Sequence, residues 1–180
     1  MKVRTSESHP IRVDWLPNQG TPGNVGLTLA PGKHSVSQEG HRWARDLTVD
    51  LTRLRTVYRA EVLVCLLEDD EMHRLRIGNL VEAARALGLS VHRLPIPDGG
   101  VLPDARGVER VVAEITRAAD DGKNVVVHCQ GGLGRAGTVG GCWLRRRGLD
   151  AVTTLRILRQ TRGDRCPENQ AQRDFVTRYV

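Results

Sequence analysis

Aromatic residues are scarce in this chain, and long uninterrupted apolar segments are absent. Aromatics make up only 3% of the 180 residues, so the core must be built mainly from aliphatic side chains. No apolar run approaches the ~20 residues that a transmembrane helix needs. The N-terminus lacks the apolar centre of a signal peptide. We therefore expect an intracellular, cytoplasmic protein that does not insert into a membrane.

Cysteine is also sparse, and none of the four cysteines belongs to a metal-binding pattern. The sequence has no C-x-x-C pair and no Cys/His cluster with zinc spacing. The pattern G-x-x-x-x-G-K-[ST] of P-loop NTPases is missing as well. We expect no metal and no cofactor, a core position for Cys65, and no chemical role for Cys142 or Cys166.

Positive charge exceeds negative charge, which leaves a formal net charge of +6. A solvated helix face accounts for runs such as the three arginines at 145–147. Such a surface can also attract phosphorylated or acidic partners. Charge alone does not establish nucleic-acid binding, and we expect no nucleic-acid partner.

The chain length suits one domain, over residues 1–180 with an irregular N-terminal segment of about 1–40. Short apolar runs typical of buried strands alternate with segments of helical periodicity. The predicted strands are 11–15, 25–29, 61–67, 91–96 and 124–128. The predicted helices are 41–59, 72–87, one starting at Pro103, one starting near Arg135, 151–161 and 168–179. This alternation predicts an α/β fold with a mainly parallel central sheet and helices on both faces.

The segment HCQGGLGR, residues 128–135, joins a predicted strand to a predicted helix. Three of the five residues between Cys129 and Arg135 are glycines, so the backbone can curl. A curled loop at a helix N-terminus directs its amides toward one anion. Thiolates are favoured at such positions and beside arginine. The pattern therefore predicts a nucleophilic Cys129 at the base of a phosphate site, with Arg135 holding two phosphate oxygens.

This segment resembles the signature of the protein tyrosine phosphatase superfamily, a cysteine followed by five residues and an arginine. It is most similar to the dual-specificity branch, in particular the cyclin-dependent kinase inhibitor 3 (kinase-associated phosphatase) family. Residues 94–104, LPIPDGGVLPD, resemble the acid loop of that family. The resemblance implies a metal-independent phosphatase that acts on phosphotyrosine and phosphoserine or phosphothreonine in proteins through a phosphocysteine intermediate.

The resemblance also implies roles for individual residues. Asp98 would be the general acid, whereas Asp104 follows Pro103 and suits the stabilisation of a helix start. The phosphate would be bound by Arg135 and by the loop residues Gln130, Gly131, Gly132, Leu133 and Gly134. His128 would orient the loop.

Two features near the proposed site leave questions open. In the family a glutamine near the C-terminus places the hydrolytic water, and Gln172 and Gln170 both qualify, with Gln172 preferred. The family also has serine or threonine directly after the loop arginine, whereas this chain has Ala136. Thr138 is two residues further on, so breakdown of a phosphoenzyme could be slow.

Four other functions are alternatives to a protein phosphatase. A phosphoinositide phosphatase or an RNA 5′-phosphatase is compatible with the positive net charge of the chain. However, lipid phosphatases of this superfamily often have lysines in the cysteine loop, and residues 130–134 include none. A phosphate-binding module without turnover is favoured only by Ala136. A sulfurtransferase would need no acid loop. The oligomeric state cannot be read from the sequence.

Overall fold

A five-stranded sheet forms the centre of the protein, of which a computed structural model describes residues 3–37, 40–100 and 105–180. The strands are β1 (Val3–Arg4), β2 (Asp14–Trp15), β3 (Val25–Thr28), β4 (His34–Val36), β5 (Arg42–Ala44), β6 (Ala60–Cys65), β7 (Ser90–Arg93) and β8 (Asn124–His128). The central sheet has the order β2-β3-β8-β6-β7. All neighbours are parallel except β2, which pairs antiparallel with β3 at one edge. The predicted α/β fold with a mainly parallel sheet is confirmed.

Helices cover both faces of this sheet. They are α1 (Leu47–Thr56), α2 (Asp69–Arg74), α3 (Leu80–Ala86), α4 (Ala105–Asp120), α5 (Arg135–Arg146), α6 (Ala151–Arg162) and α7 (Gln170–Arg178). Alternate side chains of β6 enter two separate cores, since Val62 and Val64 pack with α4 to α7 while Leu63 and Cys65 pack with α1 to α3. The period of two along a strand explains this division. The prediction of helices on both faces is therefore confirmed.

A second, three-stranded sheet corrects the prediction of a helix over 41–59. Its order is β1-β5-β4, so residues 42–44 are a strand rather than the first turn of a helix. Helix α1 begins only at Leu47, where the Asp46 carboxylate caps it by accepting from the Val49 N–H at 2.8 Å. From residue 47 onward the predicted helical periodicity corresponds to a helix. A local sequence pattern cannot reveal that β5 pairs with β1, which lies more than 35 positions away.

The predicted single helix over 72–87 is two helices, α2 and α3. Arg76 has a left-handed φ of 60° between them, a conformation that ends an α-helix. The break lets Ile77 enter the core while α2 turns its acidic first turn toward the end of the central sheet. Glu71 of that turn reaches Arg135, the first residue of α5.

The elements around the HCQGGLGR segment agree with the prediction. Strand β8 spans the predicted 124–128, and α5 begins at Arg135 as expected. The predicted helix start at Pro103 lies outside the described residues. Among the helices that the structure describes, none is long and apolar enough to cross a bilayer.

Candidate active site

The candidate nucleophile lies where β8 ends, at the carboxyl edge of the parallel sheet. Cys129 follows the strand directly and α5 begins six positions later, so the loop between them is held at both ends. The Cys129 side chain is only 3% exposed but lines a cavity of about 620 Å³. The Gly132 N–H donates to the Cys129 Sγ at 3.2 Å. Ligands of open α/β sheets bind at this edge.

The carbonyls of the loop are engaged by the protein, whereas most of its amides are not. Each carbonyl accepts a hydrogen bond from the surrounding protein: Gln130 from Ala30 and Lys33, Gly131 and Gly132 from Arg162, Leu133 from Gly137, and Gly134 from Thr138. By contrast, the amide N–H groups of Gln130, Gly131, Leu133 and Gly134 have no acceptor among the residues that the structure describes. Unpaired amides beside a helix N-terminus form a site for an anion.

Two of the loop glycines are required by their surroundings. Gly132 has a φ of 77°, and a Cβ built there would lie 2.4 Å from the backbone oxygen of Thr28. A Cβ on Gly134 would lie 2.4 Å from the Glu168 Oε2. Gly131 is different, since a Cβ there would meet nothing within 4 Å. The curl of the loop therefore depends on Gly132 above all.

Two basic residues brace the loop from outside, and the sequence did not reveal either. Lys33 donates from Nζ to the Gln130 carbonyl at 3.0 Å, and Arg162 donates to two further carbonyls at 3.0 Å. Burial lowers the pKa of Lys33 to about 8; the negative charge of Cys129 opposes this decrease, and Arg45 adds to it. No local motif marks either residue, because they come from a turn before β4 and from the end of α6.

Arg135 is 2% exposed and turned into the protein, not into solvent. Its Nη1 donates to the Glu71 Oε2 at 2.7 Å and to the Ile96 carbonyl at 2.8 Å, and its Nη2 donates to the Glu71 Oε1 at 2.7 Å. Burial alone would lower the pKa of Arg135, but Glu71, Cys129 and Asp98 raise it above the ordinary arginine value. The edge of the guanidinium formed by Nε and Nη2 does not face Glu71. The two N–H groups on this edge can bind two phosphate oxygens.

Glu71 is the functional residue that sequence reasoning missed. It is buried on α2 and forms a bidentate ion pair with Arg135 across the end of the sheet. The only signal was an acidic run at 68–71, which more often marks a solvated helix start. The bidentate geometry fixes the plane of the guanidinium.

Asp98 lies on the predicted acid loop at the mouth of the cavity. Its Oδ1 is 3.0 Å from the Arg135 Nη2, while its side chain remains 64% exposed. The loop is tied to the start of α7, where the Asn169 Nδ2 donates to the Gly99 carbonyl at 3.2 Å. A phosphate bound by Arg135 would take the place of this carboxylate and leave Asp98 beside it. The rival acid, Asp104, lies outside the described residues.

The structure separates the two candidate glutamines. Gln172 is buried, and a Cβ on Gly134 would lie 2.9 Å from its Nε2, so its amide lies against the loop. That Nε2 has no acceptor within the described part of the chain, while Oε1 accepts from the Glu168 N–H at 3.0 Å. Gln170 is exposed and donates to Asp174. Of the two glutamines, Gln172 therefore lies against the loop.

A second thiol, Cys65, lies at the same edge of the sheet in register with His128. Burial would raise the pKa of Cys65, but His128, the Leu67 backbone and Arg93 lower it. Cys65 nevertheless belongs to the core beneath α1 to α3 and does not line the cavity. His128 is buried, with Nδ1 3.3 Å from the Cys129 carbonyl.

The hydroxyl of Thr138 does not replace the one that Ala136 lacks. The Thr138 Oγ1 donates to the Gly134 carbonyl at 2.8 Å, on the outer side of the loop. Ala136 is fully buried. Among the described residues the only hydrogen bond to the Cys129 sulfur comes from the Gly132 amide.

The family model of cyclin-dependent kinase inhibitor 3 matches residues 3–153. The cyclin-dependent kinase inhibitor 3 of Rattus norvegicus is 29% identical over 140 residues, which cover 77% of this chain and 63% of that protein. The chain thus spans somewhat less than two thirds of this relative. Kinase associated phosphatase, solved with serine in place of its catalytic-site cysteine, has a TM-score of 0.83 at 23% identity, covering 93% of this chain and 92% of the other.

A second solved structure, Tk-PTP in the active form, has a TM-score of 0.67 at 27% identity and covers 88% of this chain and 94% of the other. These two likenesses show a shared fold. Because the family model matches most of its length, this chain belongs to the cyclin-dependent kinase inhibitor 3 family.

Proposed function

We propose that this protein is a cysteine-dependent phosphatase that hydrolyses phosphotyrosine and phosphoserine or phosphothreonine in cytoplasmic proteins, without a metal. One observation carries the proposal. The carbonyls of residues 130–134 accept hydrogen bonds from the protein, and four amides of this loop have no acceptor among the described residues, with the Cys129 sulfur at the start of the loop and Arg135 at its end. Such a ring of donors is complementary to a phosphate dianion and unsuited to a cation.

The first step begins when the substrate phosphate replaces Asp98 at Arg135 and enters the loop. The Cys129 thiolate attacks phosphorus, so an S–P bond forms while the P–O bond to the alcohol or phenol breaks. Asp98, which takes up a proton from solvent once the phosphate has displaced it from Arg135, donates that proton to the departing oxygen. The amides and Arg135 stabilise the charge that develops on the equatorial oxygens.

The second step releases phosphate from the phosphocysteine. Asp98, now ionised, accepts a proton from a water molecule, which attacks phosphorus and breaks the S–P bond. The Gln172 amide lies against the loop and has no acceptor within the described ranges, and it would hold that water in line. The sulfur leaves as a thiolate, stabilised by the Gly132 amide.

The proposal is tested with the purified chain and para-nitrophenyl phosphate in the presence of a metal chelator. Wild type should hydrolyse the ester and be inhibited by vanadate. Cys129→Ser should lose at least about a thousandfold in kcat, whereas Cys142→Ala, which removes a buried thiol of α5 that is not part of the lining of this cavity, should keep its activity. Activity retained in Cys129→Ser would overturn the proposal.

The acid is tested by varying the leaving group. Asp98→Asn should slow a phosphothreonine peptide about a hundredfold or more, and para-nitrophenyl phosphate less, because an activated leaving group needs little protonation. A selective loss in Asp104→Asn instead would assign the acid to Asp104. Phosphoinositide and RNA 5′-phosphate substrates, assayed beside phosphopeptides, decide between the protein and the other substrate classes.

A further inference from the structure

Asn169, which immediately precedes α7, lines the cavity together with Asp98 and Gly99 of the acid loop. It is the N-cap of α7, and its backbone is extended. Its side-chain Oδ1 accepts a hydrogen bond from the Gln172 N–H at 2.9 Å, as an N-cap side chain is expected to do. This role uses only the oxygen of the asparagine side chain, so it does not account for the N–H groups of the same amide.

The nitrogen of this side chain is bonded to the acid loop. The Asn169 Nδ2 donates to the carbonyl of Gly99, the residue that directly follows Asp98. The turn around these residues is short, since the Gly100 N–H donates to the Pro97 carbonyl at 3.0 Å. Within it, the Gly99 N–H donates to the Asp98 Oδ1 at 3.1 Å. A displacement of the Gly99 carbonyl would therefore move the Asp98 carboxyl group as well.

Few other contacts hold Asp98 in place. Both Asp98 and Gly99 are exposed, and the ion pair of Asp98 with Arg135 would be lost when the substrate phosphate binds that guanidinium. Among the described residues, the Asn169–Gly99 hydrogen bond is then the one that still joins residues 98–100 to another element. Gly99 has a φ of 68°, and a glycine turn that is released can adopt many conformations. The position of the Asp98 carboxyl group in a substrate complex thus depends on Asn169.

The orientation of the Asn169 amide is fixed by its two partners. The Gln172 N–H is a donor and requires the amide oxygen, whereas the Gly99 carbonyl is an acceptor and requires the amide nitrogen. Gln172 also bonds back, because its Oε1 accepts from the Asn169 N–H at 3.4 Å in a capping box. Asn169 therefore joins the acid loop to the glutamine that the proposed second step uses.

We propose that Asn169 is a positioning residue that holds Asp98 beside the departing oxygen of the substrate. This inference rests on the proposed phosphatase activity and adds a determinant of its acid step. Serine, aspartate and asparagine all cap helices well, so the cap alone does not need an amide, whereas the hydrogen bond to Gly99 does. A misplacement of about 1 Å at a reacting group can slow a reaction about a hundredfold. Loss of this hydrogen bond should therefore slow the substrates whose leaving group needs a proton.

The experiment removes the N–H donor and keeps the helix cap. Asn169→Ser and Asn169→Asp both retain an oxygen for the Gln172 N–H, but serine is too short to reach the Gly99 carbonyl and aspartate has no N–H to donate. We expect kcat/KM for a phosphothreonine peptide to fall about tenfold. For para-nitrophenyl phosphate it should fall by about twofold at most, because an activated leaving group needs little protonation. The ratio kcat/KM is measured because it reports the first step even where the second limits turnover.

Three measurements distinguish positioning of the acid from a merely structural role. The inhibition constant of vanadate and the midpoint of urea denaturation should match wild type in both variants, since the phosphate loop and the cap are kept. Asp98→Asn/Asn169→Ser should hydrolyse the peptide as fast as Asp98→Asn does, because Asn169 acts through Asp98. Gln170→Ser is the control: it makes the same change from amide to hydroxyl at an exposed side chain whose hydrogen bonds, among the described residues, stay within α7. It should keep the wild-type kcat/KM for both substrates.

The outcomes separate this inference from the activity on which it rests. Wild type that hydrolyses neither substrate would overturn the phosphatase and the inference with it. In an active enzyme, wild-type kcat/KM for the peptide in both Asn169 variants would overturn the inference alone. An equal loss for both substrates, or a further loss when Asn169→Ser is added to Asp98→Asn, would also reject it, because Asn169 would then act elsewhere than through the acid. A loss confined to Asn169→Asp would assign the effect to the added charge and reject the hydrogen bond.

Discussion

At the scale of the residue, Ala136 lacks the hydroxyl that could stabilise the sulfur as it departs in the proposed second step. The departing sulfur receives a hydrogen bond from the Gly132 amide, but no hydroxyl of the described residues reaches it. A poorly stabilised leaving thiolate makes the phosphocysteine long-lived. We therefore expect its breakdown to limit turnover and to produce a burst of alcohol release in the first turnover.

Ala136→Ser should shorten the life of that intermediate, because a serine hydroxyl can donate to the departing sulfur. We expect the rate of phosphoenzyme breakdown to rise about tenfold and the burst amplitude in rapid-quench measurements to shrink. Thr138→Val is the matched control, since that hydroxyl donates to the outer Gly134 carbonyl, and it should leave the burst unchanged. A burst that is absent in wild type would contradict this account.

Lys33 should make anion binding depend on pH. Its pKa of about 8 means that the ammonium is charged below that pH and loses its charge as the pH rises through it. Sulfate, which stays a dianion throughout, should therefore inhibit less well above pH 8, by about fivefold. The measurement is the inhibition constant of sulfate between about pH 6.5 and 9.5.

Two variants of Lys33 test that assignment. Lys33→Arg keeps its charge to higher pH, so the loss of sulfate affinity should shift upward. Lys33→Gln should bind sulfate weakly at every pH, without the step near pH 8. A step that persists in Lys33→Gln would assign the titration to another group.

At the scale of the element, the loop between β8 and α5 depends on the conformation of one glycine. Gly132→Ala forces a side chain into a φ of 77° and toward the Thr28 oxygen. We expect about 2 kcal/mol lower free energy of unfolding and a loss of about a hundredfold in kcat/KM, because the amides lose their common direction. Urea denaturation and steady-state kinetics provide the two measurements.

Gly131→Ala is the matched control for that substitution. A Cβ on Gly131 meets nothing within 4 Å, so stability and kcat/KM should stay close to wild type. Equal effects of the two substitutions would mean that the loop tolerates other backbone conformations and that the amide cradle is not preorganised.

At the scale of the whole molecule, the Glu71–Arg135 pair joins the two helical layers. Glu71 belongs to α2 on one face of the sheet and Arg135 to α5 on the other, and both are buried. The pair thereby couples the packing of the two cores to the orientation of the phosphate-binding guanidinium. Removing one partner of such a pair leaves an uncompensated buried charge.

Glu71→Gln should therefore lower both stability and anion affinity. We expect the free energy of unfolding to fall by about 3 kcal/mol and the KM for aryl phosphate to rise, because Arg135 is no longer held in plane. Asp70→Asn, an exposed neighbour on the same helix, should change neither quantity. Wild-type stability in Glu71→Gln would show that Arg135 is held by other contacts.

The part of this protein that the sequence alone determined is local. The sequence of residues 128–135 predicts a strand end, a turn and a helix start. The three glycines and the spacing of Cys129 and Arg135, on which this prediction depends, all lie within one short segment. The alternation of apolar runs and helical periodicity likewise predicts the α/β layers. These signals do not depend on distant residues, because the burial of one face of a helix or strand produces a periodic pattern of apolar residues within the segment itself.

Tertiary structure alone decided what surrounds that loop. Glu71, Lys33 and Arg162 reach it from three different elements, and no local pattern distinguishes them from solvated charges. The helix predicted over 41–59 was wrong at its start because residues 42–44 pair with the distant β1 as well as with β4. The helix predicted over 72–87 was wrong because a left-handed φ at Arg76 interrupts it, which the apolar periodicity does not reveal. The role of a charged side chain or of a strand depends on the residues that lie next to it in space. Those residues are distant in the sequence, so a local pattern does not identify them.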